Sequence, residues 1–438
     1  MKKIFALLLA CLTVVGMFAA CGNKPTSTED TIKVAVIETA YGSQMWKDVC
    51  AAFEEETGIK VDLVSDKNLE DVLSASMQGG DYPDVIHLAT GRPAGMTEQF
   101  IKDKNIADIT DVLSMVIPGE DKKVSDKLIG GFTNTTSTNP YGDGKTYLAP
   151  MFYSPCGLFY NADLLSDKGW SVPTTWDEMW ALGEKAKAEG IALFTYPTAG
   201  YYDAFTFALM NTVGGPEFFN KATNFEKGIW ETAEGKAVLD ILVKMASYTH
   251  QITPSQANGE NYKLNQQLIL ENKAIFMPNG TWVEGEMADA PRAEGFQWGL
   301  TALPAYTAGG DRYSTTFIEQ CWIPKQAENV DAAKKFVAFL YSDKACAAFA
   351  KAGAVQPVPG LSDQLTGNAK AFYSIYNDGA KAAMGGFASF KPVAGGITNP
   401  GEVFFNPIDS LVSGSLTAEK YIADIIAAND VMRENRVG

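Results

Sequence analysis

At 438 residues, 46% apolar, 11% aromatic and 20% charged, the chain can bury two or three cores of roughly 150 residues each. A disulfide-stapled miniprotein and wholesale disorder are excluded. The formal charge of −16 becomes more negative without the first twenty residues, which hold Lys2 and Lys3 and no acid. Such a chain repels phosphate backbones and anionic headgroups, so no nucleic acid partner is expected and a neutral or cationic ligand is favoured.

In chain order, an address comes first. Lys2 and Lys3 precede an apolar stretch from Ile4 to Val15, too short to span a bilayer and of signal-peptide length. Residues 1–20 are therefore expected to be a signal peptide, and the protein to be exported. Phe18-Ala19-Ala20-Cys21 resembles a bacterial lipobox, in which Cys21 would become the lipidated first residue of the mature chain; an ordinary cleavage site with an incidental cysteine is the alternative. Two acyl chains, at about 0.8 kcal/mol per buried CH₂, would anchor it stably. The stretch 21–30 reads as lipidated cysteine plus flexible tether. The expected location is extracytoplasmic, on the bacterial cell membrane, with membrane contact through the lipid anchor only, because no later run approaches 18 apolar residues.

Ile32 to Ile37 reads as an inner strand. From about Ser43, Trp46, Val49, Cys50 and Phe53 recur three and four apart, as on one face of a helix, and Thr57-Gly58 ends it. Ile59 to Val64 is the next strand, Leu69 to Met77 a helix, and Tyr82 to Leu88 a third strand. This β-α-β-α-β order implies a parallel sheet covered by helices, with ligands beyond the strands' carboxyl ends. Those ends are Glu38 to Ser43, Ser65 to Asn68 and Ala89 to Pro93. After the turn-rich Asn139 to Gly144, Thr175 with Glu178 forms a capping-box pattern before a helix carrying Met179, Trp180 and Gly183. Further helices are expected at Tyr202 to Asn211, Glu234 to Ala246, Leu264 to Glu271, Val330 to Tyr341 and Ala418 to Met432.

Cys50, Cys156, Cys321 and Cys346 allow three full pairings, and free structural thiols remain an alternative. Only His87 and His250 are present, far apart, with no CxxC. No metal, no cofactor and no His-based triad is therefore expected.

The segments FEEETGIKVDLV, GGDYPDVI, DGKTYLAPMFYSPCGLFYN, VPTTWDEMWALGEKAKAEGI, LILENKAIFMPNGTW and CWIPKQAENVDAAKKFVAFLYSDKACAAFAKAGAVQPV together resemble the extracellular solute-binding lipoproteins of ABC importers, carbohydrate-binding branch. The resemblance covers most of Ile32 to Arg436 and implies an α/β, two-lobed periplasmic-binding-protein-like fold with a hinge and an interlobe ligand cleft. Mapped from it, lobe 1 is 31–148 plus 312–352 and lobe 2 is 149–311 plus 353–438. It implies capture of a carbohydrate, an oligosaccharide, by a monomer that closes around it and delivers it to ABC permease subunits in the membrane.

A sugar presents flat C–H faces and a rim of hydroxyls, so its site needs aromatic platforms and paired donors and acceptors; each one left unpaired costs about 1–3 kcal/mol. The chain offers 8 Trp and 17 Tyr. Trp46, Trp176 and Trp180 lie at helical spacing and read as packing residues. Asn279 and Trp282 follow an apolar strand ending at Gly280, where a strand mouth would open on the cleft, and the matching family position of Trp282 faces sugar. Tyr41, Asp66 and Arg92 sit in the loops after the first three strands, where polar specificity belongs. Tyr201-Tyr202-Asp203 pairs aromatics with an acceptor at a helix start, where Asp203 could instead be a simple N-terminal charge. Glu319 and Trp322 stand in FIEQCWIP, the strand returning to lobe 1; a carboxylate there serves a ligand or an interlobe salt bridge.

Other classes remain. A secreted glycoside hydrolase would use two carboxylates about 5–9.5 Å apart, yet no segment resembles a hydrolase motif, and G-x-S-x-G, H-E-x-x-H and Walker A are absent. An adhesin would need an extended aromatic surface. The same fold could bind a polyamine, a peptide or another cation.

Overall fold

The computed structural model describes residues 31–436 apart from 40, 91, 93, 378, 389, 394 and 395. The expected signal peptide, Cys21 and the tether lie outside the described residues.

The described strands are β1 (Thr31–Ile37), β2 (Lys60–Asp66), β3 (Val85–His87), β4 (Leu148–Asn161), β5 (Ala192–Phe194), β6 (Ala274–Gly280), β7 (Trp298–Thr301), β8 (Tyr313–Trp322) and β9 (Lys381–Ala383). They join in the order β2-β1-β3-β8-β4-β6-β5, with β7 added to β4 and β9 to β8. β1 is parallel to β2 and β3, as the opening β-α-β-α-β pattern predicts. The Gln44–Thr57 helix buries Met45, Trp46, Val49, Cys50 and Phe53, and Gly58 ends it at φ 74° with its N–H on Glu54 O. That left-handed conformation costs glycine nothing. β3 is shorter than expected because Pro83 has no N–H and the Asp84 carboxylate takes the Lys33 and Asn329 backbone N–H groups. The Thr175–Glu178 capping box forms as expected on the Trp176–Ala188 helix.

Two strands carry the chain between lobes. β4 is 14 residues long: its first part pairs with β8, and its last residues pair with β6 and β7. Pro150 and Pro155 argue against a central strand, and periodicity alone did not reveal one here. The structure accommodates them with a register break between Pro150 and Tyr153, where the Tyr153 N–H turns to Val355 O. β8 pairs with β3 at Trp322 and Cys321 and with β9 at Tyr313 to Thr315. Its ends are buried, whereas Phe317, Ile318 and Glu319 in its middle are exposed or half-buried. A third connection follows the Asp343–Lys351 helix; its Tyr373 and Tyr376 pack on Tyr153, and Tyr376 also meets Phe132.

One hydrophobic cluster runs from Trp46, Phe53, Phe336 and Phe349 through Phe152 and Tyr153 to Phe159 and Phe372, so it follows the crossing strands. A second fills the other lobe around Phe194, Tyr202, Trp230 and Phe404. Cys50, Cys156, Cys321 and Cys346 are all buried and free; burial pushes the Cys50 and Cys346 thiols up to about 12 and the other two well above the usual range. They are structural thiols, inert as nucleophiles.

Gly157 on β4 shows how tight the crossing is. A Cβ there would stand 2.7 Å from Thr301 O of β7, a backbone atom that cannot yield without breaking the β4–β7 register. Gly157→Ala is expected to lower stability by about 1–3 kcal/mol, read as a reduced denaturant midpoint at unchanged m-value.

Candidate interlobe ligand site

Three rings form a wall where β8 crosses. Trp282 follows the end of β6, and its indole folds back over Gly280, where a Cβ would come within 2.1 Å of the ring. Its Nε1 donates to Tyr201 Oη at 3.2 Å, with ring centroids 6.3 Å apart. Phe317 closes the wall at 5.7 Å from Trp282 and is 49% exposed. The open face of this ring adds apolar surface to the wall beside the gap. Burial raises the Tyr201 hydroxyl above its ordinary pKa, so it stays a neutral donor and acceptor.

Beside this wall lies a cavity of about 120 Å³ lined by Thr90 and Ser137 from one lobe, Asp203, Ala204, Phe207 and Gly385 from the other, and Thr315 to Ile318 from β8. Gln320 sets its rim by accepting from the Thr90 N–H and donating to Thr90 Oγ1 and Ser137 O. Thr315 Oγ1 is buried without a hydrogen-bond partner. Asp203 accepts the Ala204 N–H, and burial pushes its carboxyl up to about 6.

A second polar group stands on lobe 1. Tyr41 meets the Phe152 ring edge-on at 5.9 Å, and burial together with the nearby Glu319 charge raises its hydroxyl. Glu319 Oε2 lies 3.1 Å from Nε2 of the buried His87, itself packed on Trp46 and Phe152. Tyr373 and Tyr41 share Ser154 as a hydrogen-bonding neighbour, and Tyr373 also reaches Thr281. Aromatic faces, neutral hydroxyls and two carboxylates thus converge on the gap; the arrangement suits an uncharged polyhydroxylated molecule.

Residues 36–346 match the family described as bacterial extracellular solute-binding protein. The chain belongs to that family. It is 24% identical over 340 residues to the diacetylchitobiose binding protein NgcE of Streptomyces coelicolor, covering 75% of this chain and 70% of that protein. It is 26% identical over 360 residues to a galactooligosaccharide-binding protein of Bacillus subtilis, covering 78% of each. The structure of the bacterial solute receptor AcbH superposes with a TM-score of 0.65 at 19% identity, covering 91% of this chain and 98% of that one. The first two are binding proteins by name, and AcbH is a solute receptor by title.

In this solute-binding protein, Tyr41, Tyr201, Asp203, Trp282 and Glu319 are brought to the gap, and five other expected site residues are not presented there in the same way. Tyr202 is fully buried in the second core against Tyr196 and Phe205: one position on from Tyr201, it is turned about 100° around the helix axis and so points into the core. Trp322 is also fully buried, packs on Phe100 and donates from Nε1 to Leu88 O at 3.3 Å, because β8 has already entered the lobe 1 sheet. Asn279 is buried within β6 and accepts the Gly280 N–H. Asp66 accepts the Asn68 N–H at the entry of the Leu69–Gln78 helix. Arg92 Nε is taken by the buried Glu70 at 2.9 Å.

Phe317, Phe207, Thr90, Ser137, Ser154 and Tyr373 were not singled out from sequence. Phe317 was within reach: once Glu319 is placed toward the cleft, the period of two along a strand puts Phe317 on the same face.

Arg92→Ala leaves the Glu70 carboxylate buried without its partner. It is expected to lower stability by about 1–3 kcal/mol while leaving ligand affinity within twofold, separated by thermal melts and calorimetry on the same sample.

Proposed function

We propose that this protein is the receptor of an ABC importer for a carbohydrate, an oligosaccharide, which it captures between two lobes that close on a hinge and delivers to the permease. The observation that carries this reading is the Tyr201–Trp282–Phe317 wall beside polar groups drawn from both lobes and from the crossing strand. A flat sugar face buries well on such rings, and hydroxyls find Asp203, Glu319, Ser154 and the threonines as partners. A ligand that touches both halves only when they are closed stabilises that state by its differential affinity. The names of NgcE and the Bacillus subtilis relative, both oligosaccharide binders, support the same ligand class.

The lobes are taken as 31–148 plus 312–352 and 149–311 plus 353–438, β4 and β8 supplying two of the crossings. The protein acts by recognition, not catalysis, as a monomer. The lipobox-like Phe18-Ala19-Ala20-Cys21 supports a lipoprotein held on the outer face of the cell membrane through Cys21.

The test is a melt and calorimetric screen against diacetylchitobiose, a galactooligosaccharide, maltotriose, spermidine and a short peptide. A glycan at a hundred times its Kd is expected to add about 2.7 kcal/mol of apparent stability. Trp282→Ala and Phe317→Ala are each expected to weaken that glycan about tenfold, equivalent to about 1.4 kcal/mol, with the unliganded melt preserved for Phe317→Ala. A response to spermidine or peptide alone, or steady breakdown of a glycan, would overturn the reading.

A further inference from the structure

Asp203 is the one carboxylate lining the small cavity, and no counter-charge among the described residues accounts for it. One of its oxygens accepts the Ala204 N–H in the first turn of the Tyr202–Thr223 helix, whose N-cap is Tyr201. No Lys, Arg or His among the described residues lies within ion-pair distance of it, and no described hydrogen bond reaches its other oxygen. Phe207, one helical turn on, and Phe317, from β8, wall the cavity with apolar rings. The polar groups contributed by lobe 1, Thr90 and Ser137, are uncharged. A carboxylate kept partly from water without a cation is costly unless something donates to it.

We infer that Asp203 is the specificity-determining residue of this site, accepting hydrogen bonds from a neutral glycan end seated between Phe207 and Phe317 and rejecting a uronate end. The inference rests on the carbohydrate reading above and narrows its substrate class. A uronate would bring a second negative charge against a carboxylate that no cation among the described residues offsets, in a site where water screens poorly. A neutral ring brings hydroxyl donors to the unused oxygen and to Thr315 Oγ1, which is buried without a partner.

A pH dependence follows. Burial holds the Asp203 carboxyl up near 6. The titratable group that faces it is the Cys156 thiol of β4, kept neutral because burial raises it far above the usual range; β8 presents Thr315, Thr316 and Phe317, and lobe 1 presents Thr90 and Ser137, none of which titrates near neutrality. Donation to the ionised form means that affinity is full above about pH 6 and falls below it, by about tenfold between pH 7.5 and pH 5.

The experiment is calorimetry on the purified protein at pH 7.5 and pH 5 with a galactooligosaccharide, diacetylchitobiose and maltotriose, and with trigalacturonate as the acidic counterpart. At least one neutral glycan should bind with the tenfold acid loss while trigalacturonate does not bind. Asp203→Asn should flatten the pH profile and narrow the gap between neutral and acidic glycans, and an unchanged far-UV spectrum shows that it folds. Neutral binding with a flat profile in the unmutated protein, or trigalacturonate binding as tightly as its neutral counterpart, overturns the inference alone. No neutral glycan binding at either pH overturns the carbohydrate reading and the inference with it.

Discussion

The pairing of β4 with β8 is the constraint on which the rest depends. These strands lie side by side from Leu148 opposite Trp322 to Pro155 opposite Thr316, then each continues into the sheet of the other lobe. Because one hydrogen-bonded ladder serves both lobes, the gap between them cannot drift: whatever stands on the middle of β8 stands in the cleft. That is why Phe317 and Glu319, two residues apart on one strand, face the same opening from a backbone anchored at both ends. The hydrophobic cluster following the strands through Phe152, Tyr153 and Phe159 makes the crossing a packed body. Motion is thereby limited to rotation about a few strand positions, as in hinge closure.

Around that axis the polar groups fall into two kinds. Some are satisfied within the protein: Arg92 by Glu70, Asp66 at a helix entry, Gln320 between two loops. Others keep capacity unused, notably Asp203 and Thr315 Oγ1. Unpaired buried atoms also occur in the cores, at Trp46 Nε1 and Tyr202 Oη for example; what sets Asp203 and Thr315 apart is that both line the cavity beside the ring wall. The same ordering explains the cysteines, whose buried thiols lie within the cores and contribute packing.

Much of the fold was legible in the chain. The helix bearing Trp46, Val49, Cys50 and Phe53 and its stop at Gly58 follow from a local period and a local backbone conformation, and the capping box at Thr175 and Glu178 is likewise a contact within four residues. Site residues in loops after strands were harder. Tyr41 reaches the gap, yet Arg92, in an equally plausible loop, is held by Glu70 from a helix twenty-two residues earlier. Nothing near Arg92 in sequence announces that partner. Tyr201 and Tyr202 are adjacent and alike in chemistry, and helix geometry sends one to the cleft and the other to the core.

Composition, the parallel opening motif and the run of family-like segments determined that this is an acidic α/β protein of two lobes built for binding, since those features rest on local periodicity and on order along the chain. Tertiary structure alone decided that β4 is a single long strand despite Pro150 and Pro155, that Trp322 is core while Phe317 is open, and that Asp203 lines one cavity with Phe317 and Ser137 across long stretches of sequence. The physical reason is that burial and charge pairing are properties of neighbours in space, and in a chain that crosses between lobes on β4, β8 and the connection before β9 those neighbours are far apart in sequence.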